Sequence, residues 1–167
     1  MKINISNLAE GNHFYELEGT IEEIGLESPF TGNVRAEVKI EKSFRQLHAV
    51  IAARANAHFE CDRCLKEFDR LIENTFHAIY VWDANDAAAE ENDEYHVLSE
   101  GVNMINIAPE VREYLLLAVP VKVLCREDCK GLCPICGNNL NDAACECEND
   151  EIDDRWSVLK KLKTSEN

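Results

Sequence analysis

The stretch Leu47-His48-Ala49-Val50-Ile51-Ala52-Ala53-Arg54-Ala55-Asn56-Ala57-His58-Phe59-Glu60-Cys61 decides how this chain folds. Leu47, Ala49, Ile51, Ala53, Ala55, Ala57, Phe59 and Cys61 fall on one face of an extended chain. Gln46, His48, Arg54, Asn56, His58 and Glu60 fall on the other. A period of two marks a half-buried strand. The alanines alone favour helix, but helical winding would spread these apolar residues all round. A single strand this long is uncommon, so a bulge or break is expected near Ala52–Asn56.

Outward from this stretch the pattern repeats. Val34, Ala36, Val38 and Ile40 alternate with Arg35, Glu37, Lys39 and Glu41. Phe14 to Ile24 reads as a first strand broken at Gly19, and Ser28-Pro29-Phe30-Thr31-Gly32-Asn33 is turn chemistry. Leu71 to Trp82 reads as a further strand. Asp83 to Glu94 is an acidic stretch without periodicity, expected as an exposed loop. Tyr95–Leu98 and Val102–Ile107 read as short strands flanking Gly101. One amphipathic helix is expected near 108–118, with Pro109 near its first position and Pro120 ending it. Its stripe of Val111, Tyr114, Leu115 and Ala118 should pack on the sheet, and Glu110 and Glu113 lie near the positive end of its dipole. The fold class is α+β: mainly an antiparallel sheet or small barrel, one packed helix and a cysteine-rich C-terminal segment. The division expected is a β-rich domain over 1–120 and a cysteine-rich segment over 121–167. The latter closes on a short helix, Asp153–Lys163, with Trp156, Leu159 and Leu162 on one side.

Of 167 residues, 32 are acidic and 17 basic, for a net charge of −15. That surplus opposes a phosphate backbone, whose affinity rests largely on Lys and Arg, and favours a basic protein partner. The N-terminus lacks a basic region followed by an apolar one, and no apolar run reaches the length of a membrane span. A cytoplasmic location is therefore expected, where thiols stay reduced. The eight cysteines then read as metal ligands before disulfides.

Six of those eight lie between Cys125 and Cys147, in a segment too poor in apolar residues to fold by burial. Cys133-Pro134-Ile135-Cys136-Gly137 has the form of a metal knuckle, and Cys145-Glu146-Cys147 adds a second close pair. Cys133, Cys136, Cys145 and Cys147 suit one tetrahedral Zn²⁺ site. Cys61, Cys64, Cys125 and Cys129 are candidates for a second. Other partitions are open, since Cys125, Cys129 and Cys133 are also closely spaced. Cys61 also suits plain burial on its strand, and the Cys61–Cys64 pair also suits redox chemistry, although no helix start is visible there to lower a thiol pKa.

Apart from that pair, no catalytic motif is visible. The histidines at 13, 48, 58, 77 and 96 form no HExxH pair, and no GxxxxGK[ST], GxGxxG or GxSxG occurs. The chain is read as a non-enzyme without a small-molecule substrate.

Cys61-Asp62-Arg63-Cys64-Leu65 with Phe68 resembles the CxRCL signature of the large ribosomal RNA subunit accumulation family, YceD. Ile105-Asn106-Ile107-Ala108-Pro109-Glu110-Val111-Arg112-Glu113 resembles that family's helix block, with Asn106 where the family usually has Asp. The run Cys129-Lys130-Gly131-Leu132-Cys133-Pro134-Ile135-Cys136-Gly137, continued by Asn138-Asn139-Leu140-Asn141 and Cys145-Glu146-Cys147, resembles its cysteine-rich tail. Asp154-Arg155-Trp156 and Leu159 match its closing block. The resemblance covers roughly Val34 to Leu162. It implies a role in ribosome biogenesis and accumulation of large-subunit rRNA. The expected partner is a large-subunit ribosomal protein or a pre-ribosomal particle, with no membrane. The alternative is direct binding of rRNA by a zinc protein, using Arg63, Lys66, Arg70, Arg126 and Lys130, although these read first as ordinary surface charge.

Overall fold

The computed structural model describes residues 1–82, 95–99 and 101–147. Residues 83–94, the expected acidic loop, and 148–167, the expected closing helix, lie outside them. The described elements are β1 (Lys2–Asn4), β2 (Gly11–Thr20), α1 (Ile21–Ile24), β3 (Phe30–Lys42), β4 (Gln46–Glu60), β5 (Glu67–Val81), β6 (Tyr95–Val97), β7 (Met104–Asn106) and α2 (Ala108–Leu117).

Strands β2 to β6 form one five-stranded sheet in sequence order, and β1 pairs with β7 in a separate two-stranded ribbon. The β2–β3, β3–β4 and β4–β5 pairs are antiparallel, whereas β6 lies parallel to β5. The large sheet runs in order from β2 to β6 without returning on itself. The expected α+β sheet is therefore present in its open form, and the small barrel is not.

β4 is one continuous strand, paired with β5 without interruption from Gln46 to Glu60. The irregularity expected within it sits in its neighbour. The register of β3 shifts between Thr31 and Val34, opposite Asn56 and Ala55. Gly32 occupies that bulge at φ 74°, a left-handed value that costs glycine little. A long strand is thus relieved by a bulge in its partner.

The first strand also ends differently from expectation. β2 runs through Gly19 to Thr20, where a capping box turns the chain into the short helix α1. The Thr20 hydroxyl accepts from the Glu23 N–H at 3.3 Å, and the Glu23 carboxylate accepts from the Thr20 N–H at 3.0 Å. Four residues are too few to leave a helical period in the sequence. Arg112 on α2 then donates to the Gly25 carbonyl at 2.8 Å, tying the two helices together.

One face of the large sheet carries the core. Val34, Ala36, Val38 and Ile40 of β3 join Leu47, Ala49, Ile51, Ala53, Ala55 and Ala57 of β4, all buried. Val111 and Leu115 of α2 are fully buried in the same cluster, as are Ile3 of β1 and Ile105 of β7 within a few per cent. Tyr114 stacks on Phe76 of β5 with ring centroids 4.1 Å apart and planes within 2°. Asn74 donates to the Tyr114 carbonyl at 2.9 Å, which also accepts from the Ala118 N–H at 3.1 Å.

Candidate metal centres

Where β4 turns into β5, Cys61-Asp62-Arg63-Cys64 closes a tight knuckle. The Leu65 N–H donates to the Cys61 carbonyl at 2.9 Å, and the Cys61 N–H donates to the Lys66 carbonyl at 3.0 Å. Leu65 takes the left-handed conformation at φ 58°. Cys133-Pro134-Ile135-Cys136 repeats this design. The Gly137 N–H donates to the Cys133 carbonyl at 2.9 Å, and the Cys133 N–H donates to the Asn138 carbonyl at 2.8 Å. Gly137 stands at φ 75°, in the place that Leu65 holds in the other knuckle. In both loops the turn aims two sulfurs to one side and backbone N–H groups toward them. The Ile135 N–H lies 3.4 Å from the Cys133 sulfur.

Each knuckle meets a second cysteine pair. Cys61, Cys64, Cys125 and Cys129 form one set of four, here the junction cluster; Cys133, Cys136, Cys145 and Cys147 form the tail cluster. Within each, the sulfurs lie within 4.8 Å of one another, and each could hold a metal ion. In the junction cluster Cys61 and Cys129 sulfurs are 3.8 Å apart, and those of Cys64 and Cys125 are 3.7 Å apart. These separations are far beyond a disulfide bond of ~2.05 Å. They match the edge of a tetrahedron with metal–sulfur bonds of ~2.3 Å, about 3.8 Å. The donor set and its spacing fit a closed Cys₄ site.

The two clusters differ in shielding. Three junction cysteines are buried and Cys125 is half-buried, whereas Cys136 and Cys147 of the tail cluster are exposed. Burial resists ionisation of Cys61, yet N–H groups of Cys125, Arg63 and Cys64 at its sulfur bring the thiol down to about 6. Cys133 also falls to about 6, chiefly through the N–H groups of Cys136 and Ile135. Burial and neighbouring sulfurs push Cys125 up to about 12. Cys147 rises to about 12 as well, first through its hydrogen bond with Cys136. In the junction cluster Cys129 is lowered as well, despite burial and helped by its hydrogen bond from Asn141, while Cys64 is raised with Cys125. Ionising all four thiols together requires a cation among them.

Side chains beyond the sulfurs brace the junction. The Val123 N–H donates to the Asp62 carboxylate at 2.7 Å, and Arg63 donates to the Cys129 carbonyl at 2.7 Å. Asn141 donates to the Cys129 sulfur at 3.4 Å, while its side-chain oxygen accepts from Arg126 at 2.7 Å and the Lys130 N–H at 2.8 Å. Sequence reasoning missed these roles for Asp62 and Asn141. It placed Arg63 and Arg126 among candidate RNA-facing cations, and both are engaged within the cysteine-rich lobe. The only sequence signal for Asn141 was its position in the run between the two tail pairs.

A family model described as "Large ribosomal RNA subunit accumulation protein YceD" matches residues 50–163. The chain belongs to the YceD family. A relative from Arabidopsis thaliana, "Large ribosomal RNA subunit accumulation protein YCED homolog 1, chloroplastic", is 32% identical over 47% of this YceD chain and 24% of its own length. An uncharacterized protein of Mycobacterium bovis is 29% identical over 62% of this chain and 49% of its own. Uncharacterized protein YlbN of Bacillus subtilis is 25% identical over 92% of this chain and 83% of its own. The chain thus spans from a quarter to half of the first two relatives and most of the third. No solved structure matches it. The family's description refers to accumulation of large-subunit ribosomal RNA. Among the described residues of this YceD chain, no helix is long and apolar enough to cross a membrane.

Proposed function

We propose that the chain is a cytoplasmic, non-enzymatic accessory protein of large-ribosomal-subunit biogenesis, folded around two Zn²⁺ ions and binding a basic ribosomal protein or an assembly intermediate. Its place in the YceD family carries the pathway. The net charge of −15 supports a protein partner over direct contact with phosphates. Zinc suits the clusters because four thiolates complete its tetrahedron and leave no open position for chemistry. In this reading residues 1–120 form a domain with its own apolar core, and residues 121–147 depend on metal for their shape. Against the redox reading, Cys61 and Cys64 stand in a strand-to-strand turn with Cys125 and Cys129 completing a four-sulfur set, the form of a structural metal site.

Depleting the protein from its own cells and measuring large- against small-subunit rRNA tests the pathway. A falling ratio, restored by the intact chain, is expected; an unchanged ratio would end the reading. Elemental analysis of the purified protein, with two zinc ions per chain expected, tests the cofactor.

Asn141 gives a finer check. Its amide supports the Cys129 sulfur from outside the ligand set, and such partners typically govern metal affinity by about 10–100-fold. Asn141→Ala should weaken binding at the junction cluster by about that factor, read by competition with a chromophoric chelator. Unaltered affinity would remove Asn141 from the site.

A further inference from the structure

Among the described residues, nothing covers the sheet face turned away from α2. Register aligns its residues in rows across the strands: Phe14 opposite Lys39, then Val50, then His77; and Glu16 opposite Glu37, then Ala52, then Thr75. Glu18 and Glu41 extend the same acidic face on β2 and β3, and Glu73 adds to it on β5. Against these five acids stand three cations, Lys39, Arg35 and Arg54, the two arginines already beside acids. Arg54 lies 2.8 Å from Glu37, and Arg35 lies 3.6 Å from Glu18. The face therefore has a surplus of negative charge.

An apolar spot lies inside this acid. Phe14 is 74% exposed, on a strand whose other outward residues are polar. With Val50 and Ala52 it borders a shallow groove of about 310 Å³, whose other walls include Glu16, Glu37 and Lys39. A lone exposed apolar residue needs no explanation. Here, however, Phe14 and Val50 share one cross-strand row and a groove. Strands lie ~4.8 Å apart, so the span from β2 to β4 is about 10 Å, the width of one extended polypeptide with its side chains.

We propose that this face docks an extended, lysine- and arginine-rich segment of a partner protein, with one apolar side chain seated beside Phe14. The inference rests on the accessory-protein reading above and assigns that partner a surface. Acids flanking an apolar anchor reject a phosphate chain and accept a basic peptide, giving steering and a fixed seat together. The cysteine-rich lobe is left to shape the molecule.

The test is a titration of the full, zinc-loaded, isotopically labelled chain with a peptide alternating lysine and valine, as long as β2. A peptide with glutamate for lysine and a single-stranded RNA of equal charge number serve as comparisons. The lysine–valine peptide should shift amide signals of β2, β3 and β4 around Phe14, Val50 and Ala52, and bind more weakly as salt rises. Glu16→Lys should lower its affinity about tenfold and flatten the salt dependence. Phe14→Ser should lower it about tenfold and leave the salt slope unchanged. Both positions are on the outer face, and unchanged circular dichroism and zinc content verify the fold. Shifts confined to residues 121–147, equal binding of the glutamate peptide, tighter binding of the RNA at this face, or no binding would each overturn the proposal. Ribosomal-protein binding that survives both substitutions would sink this surface alone. Peptide binding here with no rRNA effect on depletion would sink the pathway reading alone.

Discussion

Cys129→Ser is expected to remove one zinc ion per chain and to free the segment after α2 from the sheet. The Cys129 sulfur is buried, faces Cys61 across 3.8 Å and accepts from Asn141, so the substitution opens the better shielded cluster. Structural zinc in small Cys-rich folds contributes ~10–16 kcal/mol, and losing the ion forfeits that contribution at the junction cluster. Few apolar residues exist there to compensate. Elemental analysis should fall from two ions to one, and limited proteolysis should cut within residues 121–147 while β2 to β5 stay protected. Two ions retained, with the cleavage pattern of the intact chain, would mean that the junction cluster does not hold metal.

Leu115→Ala should produce the complementary result. Leu115 is fully buried where α2 meets the sheet, beside Val111. Truncating such a leucine removes its transfer energy and leaves a cavity, at a cost of about 2–5 kcal/mol. For a chain of this size the midpoint of thermal unfolding should drop by roughly 2–4 °C for each kcal/mol. Zinc content at room temperature should stay at two ions per chain, because no cysteine in either cluster lies on α2. A melt unchanged within error would show that the helix is not part of the cooperative core. Loss of zinc along with the melt would show that core and clusters are a single unit.

Much of the sheet was legible because alternation is a local property. Leu47 to Phe59 announced a buried face without reference to any partner, and the structure buries that face. The helix was bounded by Pro109 and Pro120 and carried its stripe within a few turns. What depends on neighbouring strands was not legible. The bulge belongs to Thr31–Val34 in β3, although the length that suggested one was read in β4. The parallel β6 follows from a connection, and connections leave no periodicity. At the clusters, the Cys133–Cys136 knuckle and the Cys145–Cys147 pair were near enough in sequence to read together. Cys61 and Cys129 stand 68 residues apart, and only the packing of the segment after α2 against the β4–β5 turn brings them together. Asn141 was silent for the same reason.

Gly131 links the two clusters. It lies between Cys129 and Cys133, one ligand candidate from each set, and a Cβ there would come within 3.0 Å of the Arg63 carbonyl oxygen. The Leu132 N–H donates to that same carbonyl at 3.1 Å. The β4–β5 turn therefore serves as the template on which the outer loop is laid. Maturation should run inward to outward: the hairpin first, then capture of Cys125 and Cys129, and only then closure of the last four thiols. A lesion at the outer step leaves the inner one intact, whereas a lesion at the inner step leaves the outer loop its own four thiols but removes the surface on which it is laid.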